Sequence, residues 1–170
     1  MNVGDCLKIK WIKFKNCDTD LEIDKISFFD DITLLVGLSG VGKTQILRAI
    51  SYIFELATRR TALYACKASI AVEIHSSIYE WDFTITKDTD NNNSIPYLTD
   101  YRFSQEKLSR DKTTIFERNE SFVYLMNYSS VPTPKRDESL ALQYAEDKNV
   151  KEFIEGMRCI YPIEVDMAIH

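Results

Sequence analysis

Ile32-Thr33-Leu34-Leu35-Val36-Gly37-Leu38-Ser39-Gly40-Val41-Gly42-Lys43-Thr44 is the stretch on which the reading of this chain turns. A compact apolar run, Ile32 to Val36, leads without a break into a glycine loop. Apolarity that is continuous rather than alternating predicts a strand covered on both faces, as at the centre of a parallel sheet. After the loop, Ile46, Ala49, Ile50, Ile53 and Ala57 recur at helical spacing, and Leu47 and Phe54 widen the stripe. A helix over about 44–58, packed on that strand, is predicted.

The loop itself has the pattern Gly-x-x-x-x-Gly-Lys-Thr. Backbone N–H groups can converge on phosphate oxygens only where side chains do not obstruct the approach, which is what Gly37, Gly40 and Gly42 provide. Lys43 then reaches the β- and γ-phosphates as a point charge, Thr44 offers its hydroxyl to Mg²⁺, and the helix directs its positive end at the anion. The predicted nucleotide-binding set is Gly37, Ser39, Gly40, Val41, Gly42, Lys43, Thr44 and Gln45, with ATP and Mg²⁺ as ligands. Three of the chain's five glycines sit in this one loop, more than an ordinary strand-to-helix turn needs.

Upstream, Leu7, Ile9 and Trp11 alternate with Lys8 and Lys10, the period of a half-buried strand. Ile12 breaks the phase, so a bulge or bend near residue 12 is expected. The lysines are read as a solvated strand face in preference to a nucleic-acid stripe. Downstream, 70–74 and 78–86 read as a hairpin turning at Ser76-Ser77, and Asp88 to Pro96 as a polar surface loop. Strands at 101–108, 113–118 and 122–126, separated by turn residues, read as an antiparallel meander. From Ser129 onward Pro132 and Pro134 mark a linker, followed by two short helices.

Composition narrows the function classes. A length of 170 residues with 45% hydrophobic content allows one domain with a core. The longest apolar runs are about five residues, against roughly 20 needed to cross a bilayer, so no membrane span and a cytoplasmic address are expected. Cys6, Cys17, Cys66 and Cys159 are too dispersed for a metal clip, and His75 and His170 are the only histidines. A formal net charge of −5 supplies no global attraction for nucleic acid.

The order of elements resembles the N-terminal lobe of ABC-type ATPases of the SMC, RecF and OLD-like branch. Leu7 to Asn16 looks like the family's opening strand, Leu21-Glu22-Ile23 its second strand, and Ile32 to Ile50 its phosphate loop and first helix. Glu106-Lys107-Leu108 and Ile115 to Asn119 are similar to a strand pair of its antiparallel subdomain. The resemblance implies an α/β fold: a P-loop NTPase lobe over 1–128, with a central strand-loop-helix unit and an antiparallel β-subdomain at about 68–127. Residues 129–170 would then be a linker and the start of a helical subdomain. It also implies ATP-dependent work on DNA or control of a nuclease partner, through self-association or a second ATPase half around ATP. Asn127 stands where the family has its Q-loop glutamine and is a second candidate on the Mg²⁺ side; Ser39 stands where the family commonly has Asn. No signature loop, Walker B aspartate with following glutamate, or switch histidine is legible, so the chain reads as the N-terminal half of a larger ATPase that binds ATP but hydrolyses it poorly. The alternatives are a stand-alone nucleotide-responsive module and, more remotely, a small-molecule P-loop kinase.

Overall fold

The structure, a computed structural model, describes residues 7–29, 33–36, 42–87, 101–131 and 133–159. Its frame is one seven-stranded sheet in the order β2-β1-β3-β4-β5-β6-β7, with every neighbouring pair antiparallel. The strands are β1 (Lys8–Asn16), β2 (Glu22–Ser27), β3 (Cys66–Ile74), β4 (Ser77–Lys87), β5 (Tyr101–Arg110), β6 (Thr113–Arg118) and β7 (Val123–Leu125). Among the described residues three helices accompany them: α1 (Lys43–Thr58), between β2 and β3 in the chain, and α2 (Leu140–Gln143) and α3 (Lys148–Arg158) after the sheet.

Alternation sorts the sheet into two faces. Ile70 and Val72 of β3, Tyr79 and Trp81 of β4, Leu108 of β5 and Phe116 of β6 are fully buried. The Phe153 ring of α3 packs against Tyr79 and Trp81, with ring centroids 5.8 Å away in both cases, which identifies this as the helix-covered face. Ile53, Leu56 and Ala57 of α1 and Val150, Ile154 and Met157 of α3 complete the same core. On β1 the register slips between Ile9 and Trp11 against β3 and between Ile12 and Phe14 against β2. Ile12 and Phe14 are thereby buried while Lys13 and Lys15 stay exposed. This is the irregularity that the broken alternation at Ile12 demands.

The opposite face is polar. Lys15 pairs with Glu22 at 2.8 Å and Lys107 with Glu117 at 3.6 Å, while Lys25 lies 4.1 Å above the Trp11 ring. The β1 lysines therefore belong to a charged sheet surface of mixed sign.

The expected α/β fold with a strand at the centre of a parallel sheet is overturned. All pairings are antiparallel, and 33–36 forms no strand among the described residues. Leu34 and Val36 are each 79% exposed, where a central strand would be covered on both faces. The physical reason is that a strand needs partners for its N–H and C=O groups. The seven strands pair with one another, leaving 33–36 outside the sheet with Leu34 and Val36 exposed. The hairpin and meander expected downstream are present as β3–β4 and β5–β6–β7, but they extend a sheet begun by β1 and β2.

Candidate phosphate-binding site

The described part of the glycine loop is its last residue and the helix that follows. Gly42 is the N-cap of α1, with φ 92° and ψ 5°, a left-handed conformation that costs glycine little. Its carbonyl accepts the Gln45 N–H at 2.9 Å and the Ile46 N–H at 3.2 Å, closing the first turn. No side chain caps this end, and no acid occupies the first turn. The four leading N–H groups of a helix have no intrahelical acceptor. Among the described residues neither a capping side-chain oxygen nor a first-turn carboxylate competes for the partial positive charge at this end, an arrangement that suits an external anion.

Sixteen residues give α1 a length of roughly 24 Å, and the helix is held along one side by the core. Tyr52 stacks on Tyr64 with centroids 4.1 Å apart and meets Phe14 of β1 edge-on. Lys43 is half-buried at the start of the helix; Thr44 and Gln45 are exposed. The structure thus brings Gly42, Lys43, Thr44 and Gln45 together on one helix end, whereas Gly37, Ser39, Gly40 and Val41 lie outside the described residues. Asn127 is exposed in the turn after β7, at the far edge of the sheet from β2, with φ 68°. Among the described residues, no group of three or more His, Cys, Asp or Glu is placed to hold a metal ion. Nor is any described helix long and apolar enough to cross a membrane.

No protein-family model, curated protein or solved structure matches this chain. Its chemistry must therefore be read from its own residues.

Two charged clusters escaped the linear reading. Glu106 on β5 and Arg118 on β6 are cross-strand partners on the helix-covered face, almost wholly buried, with Arg118 Nη2 2.8 Å from Glu106 Oε2. Glu106 also accepts the Trp81 indole N–H at 3.1 Å and the backbone N–H of Leu140 at 2.8 Å, which fixes the start of α2. Burial pushes the Glu106 carboxyl up, against the pull of Arg118 and of the hydrogen bonds from Leu140, Trp81 and Ala141. Arg118 in turn donates to the carbonyls of Lys135 and Glu138 at 3.0 and 2.7 Å, docking the segment that precedes α2. The one available signal was an acid at an inward position of β5, two residues before Leu108.

The second cluster holds α3. Glu152 accepts the Tyr79 hydroxyl at 2.7 Å and Arg110 Nη1 at 2.9 Å, and His75 Nδ1 lies 3.1 Å from its other oxygen. These partners come from two hairpin ends and a strand, and no sequence spacing relates them.

Proposed function

We propose that the chain binds the phosphates of a nucleoside triphosphate, ATP with Mg²⁺, at the N-terminus of α1. The observation that carries this is the uncapped, acid-free start of α1 behind a left-handed Gly42, in line with Lys43 and Thr44. A Cβ added at Gly42 would meet nothing within 4 Å among the described residues. In this reading the first-turn N–H groups and those of the glycine loop hold the phosphate oxygens. Lys43 neutralises charge and the exposed Thr44 hydroxyl faces the metal. Bound Mg²⁺ would supply further charge neutralisation on the phosphates. Asn127 is the second metal-side candidate: Asn127→Ala should weaken the Mg²⁺ dependence of binding, and an unchanged dependence would remove Asn127 from the site.

The same reading makes this chain the ATP-binding portion of a larger ATPase that couples nucleotide to work on DNA or to control of a nuclease partner. Phe29, Leu34 and Val36 expose large apolar side chains just before the loop, and Leu47 does so just after it. That surface suits a second ATPase half or a second copy. Equilibrium titration of a fluorescent ATP analogue, with and without Mg²⁺, tests the nucleotide claim. Lys43→Ala should weaken binding at least about tenfold, the order expected for a lost charge-assisted phosphate contact. Equal affinities for wild type and variant would remove the site.

A further inference from the structure

A cavity of about 460 Å³ opens between the start of β5, the β6–β7 turn and the segment before α2. It lies toward the opposite end of α1 from Gly42. Ser139, just beyond its wall, donates to the Leu56 carbonyl in the last turn of α1, and Glu138 pairs with Arg60 at 2.8 Å. The cavity is therefore separate from the described start of α1 at Gly42.

Its polar lining is cationic. Arg102, Arg118 and Arg136 line it, and Glu120 is the one acid among the described lining residues. Glu106 is set against Arg118, and Arg136 is an exposed cation on the same wall. Arg118 is 4% exposed, and its Nε is the one buried side-chain nitrogen or oxygen without a hydrogen-bond partner among the described residues. Buried donors are nearly always satisfied, so this unused one sets Arg118 apart from the other buried polar groups. Ser121 and Thr133 add hydroxyls to the lining.

The wall is also tied to the sheet and partly apolar. The Phe103 N–H donates to the Arg136 carbonyl at 2.9 Å, tying the outer segment to β5. Phe122, 47% exposed, and Val131 supply an apolar surface beside the arginines. The volume falls in the range of roughly 300–1,000 Å³ typical of small-molecule sites.

We propose that this cavity binds a small organic anion whose phosphate or carboxylate group meets the arginines while an apolar body lies against Phe122 and Val131. Calorimetric titration of the whole chain at low salt, with phenyl phosphate, benzoate and inorganic phosphate as probes, tests it. At least one of the two aromatic anions should bind saturably and more tightly than inorganic phosphate. Which of them binds tighter tells phosphate from carboxylate ligands. Arg102→Gln and Arg136→Gln should each weaken that binding about five- to tenfold, the order expected for a charge-assisted contact at a partly open site. Arg136 is exposed, so Arg136→Gln carries the test alone if Arg102→Gln alters the melting profile. Lys43→Ala should leave the titration unchanged. Three results would overturn the proposal: no saturable binding of either aromatic anion, affinity untouched by the arginine changes, or affinity lost in Lys43→Ala but kept in Arg136→Gln. Failure of ATP binding at α1 would leave it standing.

Discussion

Gly42 is the residue at which backbone conformation and proposed chemistry meet. Because its φ is 92° and nothing lies within 4 Å of an added Cβ, a substitution here is opposed by backbone strain and not by packing. Gly42→Ala should cost about 1 kcal/mol in urea denaturation, and Gly42→Asn less, since asparagine tolerates the left-handed region. Equal costs for the two would mean that the conformation is not what selects glycine. At Arg118 the balance is different. Arg118→Ala would strand the buried Glu106 carboxyl beside Trp81 and should cost about 3–5 kcal/mol. A loss below about 1 kcal/mol, measured the same way, would show that the pair does not hold the core.

Among the elements, α3 is fastened by two devices that can be tested separately. Gly156 lets the helix approach β3 so closely that a Cβ there would lie 2.5 Å from Ile74 Cδ1 and 2.9 Å from its Cγ1. Ile74 is itself buried and has little room to give. Gly156→Ala should therefore destabilise by about 1–3 kcal/mol despite alanine's better helix propensity, and a stabilised variant in thermal melts would refute the close packing. The other device is Glu152. Burial pushes its carboxyl up, but the hydrogen bonds from Tyr79 and His75 and the charge of Arg110 together outweigh burial and hold it below the ordinary 4.5. The folded state thus binds this proton less readily than the unfolded one. Its stabilisation is complete above pH 4.5 and disappears as pH falls through the lower folded value. Glu152→Gln should flatten the stability profile in that acidic window and leave its shape near neutrality unchanged. An unaltered acid limb would mean that Glu152 is not the group responsible.

For the molecule as a whole, exposure and burial make opposite predictions about chemical access. Burial pushes the Cys66 thiol up to about 12, with Cys17 and Asp18 adding to the shift, while Cys17 and Cys159 are exposed. At pH 8 iodoacetamide should modify Cys17 and Cys159 in the native protein, and Cys66 only on unfolding. Mass spectrometry of the labelled peptides reads this directly, and native labelling of Cys66 would contradict the core. Phe29, Leu34 and Val36 lie at the other extreme. Leu34→Lys with Val36→Lys should change melting little, because surface substitutions usually stay within about 0.5 kcal/mol, and should reduce any self-association seen by sedimentation.

Local rules were enough for α1 and for the β-strands downstream of it, since helical spacing from Ile46 to Ala57 and alternation in β3 and β4 depend only on near neighbours. The Gly-x-x-x-x-Gly-Lys-Thr pattern named the phosphate-binding candidates that the proposal uses, and of these Gly42 has a positive φ at the start of α1. The place of Ile32-Thr33-Leu34-Leu35-Val36 was not legible in the same way. A continuous apolar run states that side chains would be buried if partner strands flanked them; it does not supply the partners, and Leu34 and Val36 of this one stand in solvent. The Glu106–Arg118 pair, the fastening of Glu152 and the arginine-lined cavity were equally hidden. Each joins residues brought together by strand register or helix docking across a dozen or more positions, and such contacts exist only once the sheet has formed.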